Sequence, residues 1–449
     1  VKIVVVGAGA VGYHLARTLS WEGHEVTLID HDQSLVDRAG GSMDVMAVRG
    51  SGTSVSVLIQ AGVQDSDLLI AVTSVDEVNI VSCMLAKQLG TKKRIARVRN
   101  QEYADPKTPV SLKGLGIDQV IQPELETAKE VVRMIRFPYA IDIVECANGK
   151  MVLVGLRIEK ISDIINIPLE KLMPLYPDLN FRLVSIIRKG QTIIPSGKNV
   201  IQPNDIAYVI SSYEDLPEVF NIAGKREEIA HDVMLLGGGM IGRMVGEMLE
   251  ELKGYNVKLI EGDEERTQRA IQRLKNTIIV KGGEGIDFDI LVLEGINEMG
   301  VFTALTDDDE NNIVTSLFAK HLGVKRIITR ISKSEYLPII RAIGLDAVVN
   351  ERILTSDAIV KFLLGGRIMA LSSLQGTDAD VIEFAVSAKS KAADKRLRDI
   401  TFPDGSLIGA IDHKGDVNVA VGDSFIRSGD KVVVFCQPKA VPKLEKLFK

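Results

Sequence analysis

The motif Gly7-x-Gly9-x-x-Gly12 returns 230 residues later as Gly237-x-Gly239-x-x-Gly242, so one folding pattern is written twice in this chain. The match runs well beyond the glycines. Asp30 aligns with Glu261, Gly50 with Gly282, Thr73 with Thr306, Asp76-Glu77 with Asp309-Glu310, Asn79 with Asn312, Arg97 with Arg330, and Glu102-Tyr103 with Glu335-Tyr336. Over that stretch the offset drifts only from 230 to 233. Gly116-Ile117-Asp118 then matches Gly344-Leu345-Asp346 at 228, which places a loop insertion in the first copy near residues 105–110.

Within the first copy, short apolar runs at 2–6, 25–30, 45–48, 68–72, 94–98 and 119–121 read as strands separated by segments of helical period. Such alternation produces a parallel sheet with helices on both faces. A further segment, 124–137, puts Leu125, Ala128, Val131, Val132 and Ile135 on one helical face before Pro138 stops it, and 351–364 is its counterpart, ending at Gly365-Gly366. Short strands and turn residues follow each of these helices. Their tails also correspond: Arg188-Lys189-Gly190 with Pro203-Asn204-Asp205 resembles His413-Lys414-Gly415 with Ser428-Gly429-Asp430. The expected fold is α/β, two Rossmann-like doubly wound parallel-sheet domains each followed by a small α+β domain. The expected boundaries are 1–123, a crossover helix at 124–138, 139–225, then 230–350, a second crossover helix at 351–366, and 368–449.

A lone glycine motif is weak evidence, and its surroundings carry the inference. Here it follows a strand, opens a helix, and has Asp30 eighteen residues after Gly12 at the end of the second strand. In such a unit the first glycine makes the turn, the second admits a pyrophosphate to the backbone, and the third lets helix and sheet pack closely. Amides at the helix start hold phosphate with help from the helix dipole. Gly7, Ala8, Gly9, Ala10 and Val11 are therefore expected along a diphosphate, with Asp30 on an adenosine ribose diol. The second copy offers Gly237, Gly238, Gly239, Met240 and Ile241, with Glu261 as the acid. Because a 2′-phosphate would face a carboxylate, non-phosphorylated dinucleotides or adenine nucleotides suit these sites better than NADP.

Further candidates sit where open parallel sheets bind ligands, at the carboxyl ends of later strands. Thr73 and Ser74 in the first copy and Thr306 in the second occupy such ends. Ser74 with Glu77 also spells a helix-capping pattern, so a cap and a ligand contact are both open for Ser74. Arg97 and Arg330 end the fifth strands, where each guanidinium neutralises a phosphate or pairs with a nearby acid. Ser51-Gly52-Thr53 reads as a turn and His31 as a surface residue.

Other chemistry is poorly served. Fifty-four basic against 60 acidic residues, a net charge of −6, leave no basic footprint for nucleic acid. Mean hydropathy is +0.14, yet no apolar run approaches the roughly 20 residues that cross a bilayer. The first residues read as a strand, and no basic leader is expected before it. Cys83, Cys146 and Cys436 lie far apart and the six histidines show no metal spacing, so a reducing cytoplasm and inert buried thiols are expected, with no metal. Neither a P-loop lysine nor paired catalytic carboxylates occur, and small domains poor in histidine supply no proton donor beside a nicotinamide. The expectation is nucleotide binding without catalysis, an NAD-dependent oxidoreductase of fused halves being the rival.

The opening Lys2-Ile3-Val4-Val5-Val6-Gly7-Ala8-Gly9-Ala10-Val11-Gly12, Asp30 after the second strand, Thr73-Ser74-Val75-Asp76-Glu77-Val78-Asn79 and the full-length duplication resemble the TrkA family of the Trk potassium-uptake system. That resemblance implies tandem RCK units, each a Rossmann-like domain with a small C-terminal domain. It further implies NAD(H) and ATP or ADP as ligands, a homotetrameric ring at the cytoplasmic side of the membrane, and a membrane-embedded potassium-translocating subunit as partner. In that family the crossover helices act as hinge and pairing elements. A regulator of another cation transporter is the neighbouring alternative. The second copy departs from the family's loop at Gly238-Gly239-Met240 and carries Gly282-Gly283-Glu284 after its third strand, which leaves its ligand preference the more open.

Overall fold

The computed structural model describes the chain except residues 22, 105–110, 148, 226–229, 283–287, 346, 365–369, 374–378 and 449. The insertion at 105–110, Asp346, the Gly283-Glu284 departure and the Gly365-Gly366 stop thus lie outside the described residues.

The first lobe is a six-stranded parallel sheet of β1 (Lys2–Val6), β2 (Glu25–Asp30), β3 (Met46–Arg49), β4 (Leu68–Ala71), β5 (Lys93–Arg97) and β6 (Gln119–Ile121). Their order is β3-β2-β1-β4-β5-β6. The direction of winding reverses between β1 and β4, the place where such sheets hold ligands. Ile3 to Val6 and Leu68 to Ala71 are buried on both faces, as strands covered by helices must be, which is why these runs are apolar without alternation. The second lobe repeats this order with strands Asp232–Leu236, Asn256–Glu261, Ile278–Lys281, Val301–Ala304, Arg326–Arg330 and Ala347–Val349. The doubly wound fold expected from the sequence is present in both copies.

By contacts the chain forms two compact units that do not follow its linear order. One joins Val1–Arg136 with Ala230–Val360, and the other joins Phe137–Ile229 with Lys361–Lys449. Large therefore packs with large and small with small. In the first unit the helix Pro123–Arg136 starts on a proline, whose missing N–H costs nothing at that position. Its buried Ala128, Val131, Val132 and Ile135 share one core with Ile241, Met244 and Val245 on the helix Met240–Leu252 of the other lobe. The apolar stripe of this crossover helix thus finds its partner inside the chain.

The second unit contains two five-stranded antiparallel sheets. One core joins them, with Val144, Leu153, Val184, Tyr208 and Ile210 from the first meeting Val381, Ala410, Val433 and Phe435 from the second. Each sheet has a tight hairpin whose two turn residues both take positive φ, Lys189-Gly190 and Lys414-Gly415, the geometry that matches strand twist. Beside each hairpin an aspartate anchors the strand: Asp205 pairs with Arg188 at 2.7 Å, and Asp430 with His413 at 2.6 Å. This is the tail correspondence read from the sequence. Burial pushes the thiols of Cys83, Cys146 and Cys436 each up to about 12, and all three are free. Among the described residues no helix is long and apolar enough to cross a membrane, and no three metal-ligating side chains cluster.

Candidate nucleotide site

Each glycine of the first loop answers a different constraint. Gly7 has φ of +103° and packs against Thr73, whose amide nitrogen lies 3.0 Å from where a Cβ would stand. A Cβ on Gly12 would fall 1.8 Å from the Gly7 carbonyl oxygen, so helix and strand meet only because it is absent. Gly9 is different: a Cβ there meets nothing within 4 Å. Packing does not demand glycine at that position, whereas a ligand lying against the backbone would. The second loop repeats the first two constraints, with Gly237 at φ +109° and 3.0 Å from the Thr306 nitrogen, and Gly242 at 1.9 Å from the Gly237 oxygen. Val11 and Ile241 turn their side chains into the core, leaving only their backbone to face a ligand.

The acids at the strand ends are tied to these loops. Asp30 is nearly buried and accepts from the Ala8 amide at 2.6 Å and the Asp32 amide at 2.9 Å. Glu261 accepts from Gly238 at 2.7 Å and Asp263 at 2.8 Å. The longer side chain of Glu261 reaches the same kind of donors as Asp30, so both carboxylates are held in place with acceptor capacity left over. His31 is exposed and 3.1 Å from Asp30.

Of the two readings open for Ser74, the helix cap is not realised. The helix Asp76–Leu89 has Val75 at its N-cap and no side-chain cap. Thr73 and Asn79 organise this turn instead: Thr73 donates its amide and hydroxyl to Asn79 Oδ1 at 2.9 and 2.8 Å, and Asn79 Nδ2 donates to the carbonyls of Thr73 and Arg97. Asn312 does the same for Thr306 and Arg330. The repeat had aligned the two asparagines, and that alignment was the available signal for their role.

A cavity of about 380 Å³ opens in front of the first loop, lined by Ala8, Gly9 and Ala10. Tyr13, His14, Arg17, Leu35 and Arg38 of the same lobe form its walls. Lys333, Glu335 and Arg352 close it from the second lobe. Arg352 has no carboxylate partner among the described residues, while Lys333 holds Glu310 at 2.8 Å. Burial first, and then the charges of Arg17 and Arg352, push the His14 imidazole below its usual range. With Arg17, Arg38, Lys333 and Arg352 against Glu335, the lining carries more positive than negative side chains. Sequence periodicity could place Tyr13, His14 and Arg17 beside the loop, but no sequence signal brings Arg352 there.

Arg97 and Arg330 lie with acids. Arg97 stands 3.6 Å from Glu124 and 3.5 Å from Glu351, the latter across the lobes. Arg330 donates to Glu351 at 3.0 Å, Asp307 at 2.9 Å and the Thr306 carbonyl. The ends of both fifth strands thus converge on the first residue of the helix Glu351–Leu364.

Two winding-reversal crevices, each with a glycine loop and a strand-end acid, define a tandem Rossmann-type nucleotide-binding protein. The TrkA-N domain model matches residues 3–123 and 233–351, and the TrkA-C domain model matches 381–449. The chain belongs to the TrkA family. It is 35% identical to "Trk system potassium uptake protein TrkA homolog 2" of Methanosarcina mazei, over 100% of both chains. It is 32% identical to "Trk system potassium uptake protein TrkA" of Azorhizobium caulinodans, over 100% of this chain and 98% of the relative. Among solved structures, "GsuK channel bound to NAD" matches with a TM-score of 0.63 at 17% identity, covering 100% of this chain and 78% of the other, a likeness of fold.

Proposed function

We propose that this chain is a nucleotide-binding regulatory subunit of potassium transport. In this reading it binds NAD(H) and ATP or ADP, assembles as a homotetrameric ring, and gates a membrane-embedded potassium-translocating subunit from the cytoplasmic side. The observation that carries it is the first crevice, whose floor is the glycine loop of one lobe and whose lid is Arg352 and Lys333 of the other. A ligand filling that space touches both lobes, so occupancy is linked to their arrangement. Gating requires differential affinity for two states. Coupling is typically about 1–3 kcal/mol per site, so roughly four sites at about 1.4 kcal/mol each supply the ~5.5 kcal/mol that moves an equilibrium from 1:99 to 99:1. The relatives' names support potassium uptake as the transport concerned.

The test is potassium flux through the transport subunit reconstituted in vesicles with this protein, with and without NADH, NAD, ATP and ADP. Flux that responds to at least one nucleotide only when this protein is present is expected. Equal flux under all conditions overturns gating, and turnover of NADH overturns the non-catalytic reading. Arg352→Ala is expected to weaken nucleotide binding at the first site about tenfold, the scale of one charge-assisted contact, with a flatter salt dependence. Calorimetry at two ionic strengths checks this. In the same variant the His14 titration, followed by NMR, moves upward because one depressing charge is gone.

A further inference from the structure

Three of the aligned positions at which the two crevices differ bear on the mouth of the loop. Tyr13 of the first corresponds to Arg243, Leu35 to Arg266, and Ser74 to Asp307. Arg266 lies on the helix Glu264–Arg273 that follows the second strand of its lobe, and Asp307 follows the fourth strand, Val301–Ala304. The first strand and its glycine loop run between those two. Arg266 Nη2 meets Asp307 Oδ2 at 3.1 Å, so an ion pair passes over the mouth of the loop. Arg266 Nη1 is also 3.8 Å from where a Cβ of Gly239 would be, the place a phosphate takes against such a loop. In the first lobe the same span is left to Leu35 and an exposed Ser74, and the crevice is open.

Resting on the reading above, we propose that Arg266 and Asp307 latch the second crevice, and that it selects nucleotides with a terminal phosphate, ADP or ATP, over dinucleotides. An exposed ion pair is weak, with side chains 42% and 66% exposed here, so a ligand displaces it if it offers Arg266 a better anion. Both phosphates of a dinucleotide are diesters with one charge each, whereas a terminal phosphate carries roughly 1.5 to 2 charges and more free oxygens. The surroundings favour that exchange. Arg243 is buried under the loop, donates to the Gly238 carbonyl at 2.6 Å, and has no carboxylate within ion-pair distance among the described residues. Asp307 is held from its other side by Arg330, which also binds Glu351, so release of the latch is felt at the helix that borders the first lobe.

Calorimetry with the full chain carrying Asp30→Ala reads the second site with the first weakened. There ADP is expected to bind about tenfold more tightly than NADH. Asp307→Ser is expected to tighten both ligands, ADP by about fivefold, since no carboxylate competes for Arg266. Arg266→Leu is expected to weaken ADP about tenfold and leave NADH nearly unchanged, erasing the preference. Unchanged affinity in Asp307→Ser overturns the latch, and an ADP to NADH ratio untouched by Arg266→Leu overturns the selection, while nucleotide binding by the wild type leaves the regulatory reading standing. Inorganic pyrophosphate binding as tightly as ADP overturns the nucleotide assignment of this crevice. Absence of nucleotide binding by the wild type overturns both.

Discussion

Gly12→Ala is expected to destroy the first site and to destabilise its lobe, whereas Gly9→Ala is expected to destroy the site alone. The added methyl of Gly12→Ala falls 1.8 Å from the Gly7 oxygen, a backbone atom in the turn itself, so relief requires the helix Ala10–Trp21 to move off β1. Overpacking of this kind costs about 1–3 kcal/mol and more where backbone must shift, and the melting temperature of that lobe falls by several degrees. Nucleotide binding at the first site falls at least about 100-fold, because the phosphate amides belong to the displaced turn. In Gly9→Ala the methyl enters open space, so melting stays within about one degree of wild type while binding weakens about tenfold or more. Thermal melting paired with calorimetry separates the two. Equal loss of stability in both variants would mean that the loop serves packing and not a ligand.

The second large effect belongs to the strand-end acids. Asp30→Ala is expected to weaken adenine nucleotides at the first site about 10- to 100-fold, the value of hydrogen bonds from a ribose diol to a charged acceptor. Part of that loss comes from the loop, since the Ala8 and Asp32 amides lose the carboxylate that orients them. Glu261→Ala is expected to act the same way at the second site through Gly238 and Asp263. Asp30→Glu is the informative control: it copies the second lobe and retains most of the affinity. Isothermal titration of each single variant and of the double variant reads the sites one at a time, and binding unchanged in both single variants contradicts the assignment.

Much of this was written in local patterning. Strand-helix alternation specified the doubly wound sheets because a strand segment buried on both faces must be apolar, as Ile3 to Val6 of β1 and all of β4 are. The glycine and acid positions were legible because a tight turn and a close helix contact admit no side chain. Ser74 stayed open between a cap and a ligand contact for the opposite reason: a four-residue pattern describes what the chain is able to do locally, whereas the turn is held by Asn79, bonded to both Thr73 and Arg97.

By itself, then, the sequence determined two lobes of one design, two tight glycine loops between strand and helix, and two acids at the ends of second strands, since those features depend on residues close along the chain. Only the tertiary structure decided which lobes pair, that the stripe of Pro123–Arg136 packs on the other lobe, that Arg352 lines the first crevice, and that Arg266 pairs with Asp307 beside the second loop. Those outcomes rest on contacts across the lobes or across a crevice, where burial and charge pairing are settled by three-dimensional proximity and leave no periodic trace in the order of residues.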